Sequence, residues 1–543
     1  MAMQQKLGVL LGGAALALAA ACSQDLNVTN PDNPDIPRAL ATPNDVKSLA
    51  ISSVNSWYLT SNDVDPYMML GVTADAYTGN FGNFGMRFNN LQPRIPYNNA
   101  SAASDAEVAR EPWDNNYANL NDANDVLRAF ARGIVLDNGP AETDQYKSLA
   151  MFVQAATLTN IALLFDKAFV VDETFDPTGK VLPQLVPYTE VAAAAQKKWD
   201  AVIAATAGKT YEYGDAVLPM GVQKFNGVTL NRIANTMAAL LLTYTPRTAA
   251  EVPSVDWAKV LQYADKGIGT GSAGAPFDFT VKGDNTNWYS YNAYYGDETT
   301  WVRTDLKLIH KMDPTVPAEY TGASTNVPPS GNGDKRLTTD YTYTGAVIGD
   351  PSRGIYMQSP YFHSRYKFYA RTSTPHATGA VPYILAAESD LAKAEALVQT
   401  NGDLALAAQL INNTRVTRGG LPPVSATDSK QTLLDAITYE REVETLSTDG
   451  FTFFQLRHVD DLRDGTVRHL PIPAKELETL QLPIYTFGGV GQPVKSVAGT
   501  GMFLPSLAIF GQHELSEIEL PSGGRMAIRM PARQPRLANR SIQ

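Results

Sequence analysis

The stretch YKSLAMFVQAATLTNIALLF, residues 146 to 165, has no polar face when wound as a helix. Apolar side chains fall around nearly its whole circumference, and such a helix is buried on more than one side. It predicts a body of helices packed around this one. The flanking sequence agrees. Thr42 and Pro43 form an N-cap and first helical position, opening an amphipathic stretch to about Tyr58. Further helices are predicted over 108–132, 144–165, 189–207 and 230–244. SVDWAKVLQYADKGI offers Ser254 as a cap and Gly269 as a stop, and three more helices are predicted over 383–398, 403–417 and 429–447. The helices are short and alanine-rich, and alanine lets axes approach, so antiparallel pairs are expected. No strict period near 34 residues is legible. The fold class is mostly α: tetratricopeptide-like stacked helix pairs with a long loop-rich ligand-binding face.

The start of the chain has a different character. Lys6 is followed by an apolar run from Leu7 to Ala21 and then by Cys22, the only cysteine. A basic start, an apolar middle of about 15 residues and small residues before a cleavage point make an export signal, short of the ~20 residues that span a membrane. A cysteine at the cleavage position marks a bacterial lipoprotein, with Cys22 as the lipidated residue and acyl chains as the anchor. No other window approaches a transmembrane length. Ser23 is not the aspartate that retains such proteins at the inner membrane. Residues 22–40, rich in Pro, Asn and Asp, read as a flexible tether. The expected organisation is therefore 1–21 signal peptide, 22–40 tether, 41–270 N-terminal helical region and 271–543 C-terminal region. The last divides into ligand loops at about 271–380, a helical part at about 381–480 and an irregular tail.

A single cysteine excludes an internal disulfide and a cysteine metal site. The net charge of −11 argues against nucleic acid as a partner. Charged residues are 18% of the chain while tyrosine numbers 25, which suits recognition of a neutral polar ligand. The six histidines, His310, His363, His376, His458, His469 and His513, show no metal-ligand spacing, and no cofactor is expected. Gly269 to Gly274 matches GxGxxG, but a helix precedes it where a dinucleotide site needs a strand, so it reads as a turn. Paired carboxylates for glycoside cleavage need only meet in space and leave no trace in the sequence. In the last 24 residues, from Leu520, five arginines stand with no acid.

Two aromatic clusters interrupted by Asn, Gly and Asp read as loops that display rings. The first is DAYTGNFGNFGMRFNN, with Asp75, Tyr77, Asn80, Phe81, Phe84, Arg87, Phe88 and Asn89. The second is NTNWYSYNAYYGDETTW, with Trp288, Tyr289, Tyr291, Tyr294, Tyr295 and Trp301. An exposed ring offers a flat apolar platform for sugar C–H faces, and Asn, Asp and Arg bond hydroxyls. The competing reading is that the rings pack the loops onto the helices. Replacing Trp288 or Tyr291 with alanine is expected to weaken ligand binding without unfolding the chain.

Several segments, in order, resemble the SusD/RagB family of outer-membrane nutrient-binding lipoproteins. Asn412 to Leu421 (NNTRVTRGGL) is similar to the family's N-x-x-R-x-R-x-G-L turn with one extra residue. Ala436 to Glu444 (AITYEREVE) resembles its I-x-x-E-R-x-x-E helix, with Asp449-Gly450-Phe451 following where the family has Glu-Gly-Arg or similar. His469 to Glu476 (HLPIPAKE) resembles its L-P-I-P-x-x-E segment, and Trp257 to Lys266 its D-W-x-x-A-x-x-Y-A-D-K helix. Leu163-Leu-Phe-Asp166 departs from its L-F-G, and Gln455-Leu-Arg457-His458 from its D-L-x-R. The resemblance implies a lipid-anchored lid on a SusC-like TonB-dependent outer-membrane barrel, taking an oligosaccharide or peptide ligand and having no enzymatic activity. Glu440 and Arg441 are expected to be structural, since a buried arginine wants a paired carboxylate. Two other readings stay open: a lipid-anchored exported hydrolase, and a structural accessory of a barrel with no ligand of its own.

Overall fold

The structure, a computed structural model, describes residues 40–176, 183–221, 223–296, 301–446 and 451–491. The expected signal peptide, Cys22, nearly all of the tether and the basic tail lie outside the described residues. Eleven described helices have eight residues or more. In chain order they are α1 (Pro43–Ser61), α2 (Val64–Thr73), α3 (Glu107–Ala131), α4 (Pro140–Leu164), α5 (Tyr188–Thr206), α6 (Gly227–Tyr244), α7 (Trp257–Ala264), α8 (Ala386–Gln399), α9 (Leu404–Arg415), α10 (Lys430–Glu444) and α11 (Phe451–His458).

The stack follows sequence order. Helix α4 packs on both α3 and α5, α5 on α6, α6 on α7, α7 on α8, and α8 on α9 and α10. The architecture is thus mostly α, with tetratricopeptide-like helix pairs. Thr42 caps α1 with a capping box, its hydroxyl accepting from the Asp45 amide while the Asp45 carboxylate accepts from the Thr42 amide. Thr42→Ala is expected to cost about 1 kcal/mol in urea unfolding. Asp403 and Ser429, expected as the first residues of two helices, are the N-caps of α9 and α10. The cap of α7 is Asp256, not Ser254, which lies in a preceding 3₁₀ turn. Tyr383 does not open α8. It belongs to the strand Thr378–Ile384, which pairs antiparallel with Phe279–Asp284.

Helix α4 is the centre. It is long and apolar enough to cross a membrane by length and composition, contrary to the expectation that no window besides the start is, but 89% of that window is buried inside the protein. Phe152 meets Trp57 at 4.9 Å and Trp199 at 5.7 Å, and Trp57 meets Tyr383 at 5.3 Å. One apolar core takes residues from both sides of the division expected at residue 270. The C-terminal carbonyls of α4, which have no partner within the helix, are met by two buried arginines. Arg247 donates to Ala162, Leu163 and Phe165, and Arg457 to Leu163 at 2.9 Å. Leu470, first of the L-P-I-P run, closes the same end: its amide donates to Leu164 and its carbonyl accepts from Asp166.

The E-R pair on α10 is structural, as expected. Arg441 is fully buried and bonds Glu388, Glu395 and Gln455. Burial works against ionisation of Glu395, yet Arg441 and His458 hold it down at about 2. Glu440 is fully buried and meets Arg336 at 2.7 Å.

The segment after α11 ends in a strap. Tyr485 donates to Asp166 at 2.7 Å, the Tyr97 amide donates to Phe487 at 2.9 Å, and the Val490 amide donates to Arg94 at 3.2 Å. Burial pushes the Asp166 carboxyl up to about 6. The strap thereby holds the loop 94–99, next in the chain to the first aromatic cluster.

Candidate ligand site

The two aromatic clusters, about 200 residues apart in sequence, meet in space. A two-residue antiparallel ladder joins their loops, pairing Tyr77 with Thr304 and Thr78 with Arg303. Gly79 lets them approach: a Cβ there would stand 2.8 Å from the Trp301 carbonyl oxygen. Gly79→Ala is therefore expected to push Trp301 away and to cost about 1–3 kcal/mol by overpacking, read as a lower Tm.

Across this junction Phe84 lies 5.6 Å from Tyr295 and 5.9 Å from Trp301, centroid to centroid. Tyr291, Tyr295 and Trp301 run nearly parallel, with spacings of 6.0 and 5.0 Å and interplanar angles of 8° and 16°. Tyr294 stands edge-on to Tyr295 at 4.8 Å, and Tyr289 meets Tyr291 at 4.5 Å. These rings are half-buried, with their inner sides packed on the body. Burial and the Tyr294 hydrogen bond raise the Tyr289 phenol.

The short helix Tyr291–Gly296 that carries three of the rings is seated at its start. The Tyr291 amide donates to the Asn62 carbonyl at the end of α1, and the Ser290 amide donates to the Tyr369 hydroxyl. Just upstream, Asp284 accepts three backbone N–H groups, from Thr286, Asn287 and Trp288. Burial opposes them, but these donors keep its carboxyl below the usual range. Phe84 holds φ +56°, a left-handed conformation rare for a bulky residue. Strain of that kind costs about 1–3 kcal/mol and gathers at ligand sites.

Other predicted residues lie inward of the rings. Trp288 is only 8% exposed and packs on Tyr58 at 5.4 Å, so it is a core residue rather than a displayed ring. Tyr77 is buried beside Gly71, where a Cβ would reach 2.7 Å from its ring. Asn80 is buried and exchanges two hydrogen bonds with the Asp350 backbone, tying the first loop to the segment 349–353. Asn89 donates to the Gly85 carbonyl. Asp75 is buried in ion pairs with Arg94 at 2.7 Å and Arg463 at 3.2 Å. These five are not open to a ligand, because their polar atoms are spent on holding the loops or, for the two rings, their faces are covered. Phe81 is half-buried against the core. Arg87 lies within 5.9 Å of the exposed Phe88 ring at the outer edge.

Sequence reasoning missed a third wall. Arg371 places its guanidinium 5.2 Å from the Trp301 ring centroid, and its amide donates to the Tyr294 carbonyl. His376 meets Tyr294 at 5.9 Å. No local signal marks either residue; only the fold brings the segment 366–377 here. The other described histidines sit elsewhere: His363, His458 and His469 are buried, and His310 bonds the Val316 carbonyl. Among the described residues no group of His, Cys, Asp or Glu could hold a metal ion. The GxGxxG stretch is a turn, with Asp390 accepting from Thr270 and the Gly271 amide.

Residues 275–469 match the model of the SusD family. No curated protein sequence matches the chain. Solved structures share the fold. A SusD homolog from Bacteroides thetaiotaomicron is 10% identical with a TM-score of 0.59, covering 82% of this chain and 97% of its own. Surface glycan-binding protein A from the same organism is 13% identical with a TM-score of 0.54, covering 82% and 99%. A SusD-like carbohydrate-binding protein from Bacteroides vulgatus is 15% identical with a TM-score of 0.52, covering 77% and 83%.

Proposed function

Because the chain belongs to the SusD family, we propose that it is a lipid-anchored outer-membrane protein that captures an oligosaccharide and delivers it to a SusC-like TonB-dependent barrel. The observation that carries this reading is the convergence of two remote ring-bearing loops into one half-exposed array. Phe84, Tyr291, Tyr294, Tyr295 and Trp301 would contact sugar faces, with Arg87, Arg371 and His376 bonding oxygens at the rim. Asp75, Tyr77, Asn80, Asn89 and Trp288 would position those rings from behind. Glycan binding by related folds supports this assignment, as does the export signal ending at Cys22. Binding needs no metal or cofactor, and ordered water would bridge many of the polar contacts.

Two measurements test it. Purified protein is screened by affinity electrophoresis against malto-, cello-, xylo- and arabino-oligosaccharides. At least one class is expected to be retained without release of reducing ends, and turnover would overturn the binding reading. A tagged pull-down from mild-detergent membranes of the native host is expected to bring a large barrel in near-equal amount. Recovery of the protein alone would remove the support for delivery to a transporter.

A further inference from the structure

The ladder between the two ring loops is flanked on both strands by a buried carboxylate. Asp75 lies two residues before Tyr77, and Asp305 directly follows Thr304. The Asp305 amide extends the ladder by donating to the Ala76 carbonyl at 3.0 Å. Asp75 is 3% exposed and Asp305 is 9% exposed. The surrounding cations are unequally shared. Arg94 and Arg463 bond Asp75, and Lys307 lies 4.0 Å from it. Asp305 accepts from the Lys307 backbone amide at 2.8 Å, as the N-cap of the helix Leu306–Met312. Among the described residues no side-chain cation bonds Asp305.

We propose that Asp75 and Asp305 are positioning residues of the ring array, and that the burial of a charged Asp305 beside Asp75 makes its junction looser as pH rises. The proposal rests on the ligand reading only in taking the array as the binding site. The charged groups facing Asp305 are Asp75 from the first loop, Arg94 from the loop at 90–97, Arg463 from the segment after α11, and Lys307 from its own helix. Burial and then the Asp75 charge push the Asp305 carboxyl up to about 8, against the Lys307 amide and the two arginines. When the ladder opens, Asp305 reaches water and its acidity returns toward the ordinary carboxylate range. The closed junction therefore binds a proton that the open one releases. Closure is strongest in acid, weakens as pH climbs toward 8, and levels off above that. Asp75 is tied by both arginines and anchors the first loop, while Asp305 supplies the response.

Amide hydrogen exchange of the full chain, corrected for intrinsic rates, tests this from pH 5 to pH 9. Protection in peptides spanning 74–79 and 302–308 is expected to fall by up to about tenfold per pH unit below 8. Asp305→Asn should flatten the profile at the acid level of protection. Asp305→Ser, which keeps an N-cap oxygen, should do the same. A flat profile in the parent chain, or an unchanged slope in both variants, overturns the proposal. Exchange needs no ligand, so a chain that shows the slope yet binds no oligosaccharide would refute the ligand reading alone.

Discussion

Arg336→Met is expected to destabilise the protein by about 3–5 kcal/mol, seen as an earlier midpoint in urea unfolding at pH 7–8. The guanidinium is fully buried and meets Asp334 at 2.7 Å, Glu440 at 2.7 Å and Glu444 at 3.2 Å. Methionine fills much of the volume, so the loss is electrostatic. Glu444 would keep Arg418 and Arg365. Asp334 would keep the Tyr439 hydroxyl and the backbone amide of residue 336, and Glu440 the Thr414 hydroxyl and Arg415 at 3.9 Å. Burial already raises the Glu440 carboxyl with the arginine in place. In the variant Glu440 rises further, so it takes up a proton on folding as pH falls. The deficit should then shrink between pH 8 and pH 5. Adding Glu440→Gln to Arg336→Met should recover part of it, and a double-mutant cycle isolates the pair. Lys224 and Glu212 give the contrast. That pair is 76% and 58% exposed, and Lys224→Ala should change stability by less than about 0.5 kcal/mol.

The second large effect is on binding. Trp301→Ala is expected to weaken oligosaccharide affinity by about 2 kcal/mol, roughly thirtyfold in Kd, with little change in Tm. Trp301 stacks on Tyr295, touches Phe84 and carries Arg371, so it joins all three walls. Trp288→Ala should behave in the opposite way. Its ring is buried against Tyr58, and its loss should cost about 3–5 kcal/mol of stability before it affects a ligand. Calorimetric Tm beside a binding isotherm for each variant separates the two. Equal affinity in Trp301→Ala would show that the rings pack the loops and do not meet sugar.

Much of the helical frame was legible because its signals are local. Thr42 caps α1 where the sequence places it, and the helix starts expected at Asp403 and Ser429 fall on the caps of α9 and α10. Local signals failed where a remote partner decides. Tyr383 is apolar and adjoins a helical pattern, yet its backbone pairs with residues near 280. Helix α2, close behind α1 and carrying Pro66, and helix α11 were not anticipated. At the site, residue types were readable and burial was not. Trp288 and Trp301 look alike in sequence, but one points to Tyr58 and the other to the junction. Arg371 and His376 carry no local mark at all.

The strap has a consequence for the order in which the molecule matures. Tyr97 meets Phe487, and Asn99 bonds the carbonyls of Ile472 and Tyr485, across some 370 to 390 residues. Contacts of such separation form late, because the intervening chain must already be arranged. During synthesis the first ring loop is made early, but the bonds of Tyr97 and Asn99 must wait until residues 472–487 emerge. On the proposed function, competence for ligand would therefore be acquired late. A chain cut short near residue 480 should keep its helical circular dichroism while failing to hold sugar, and translation through the strap would be checked by the binding site itself.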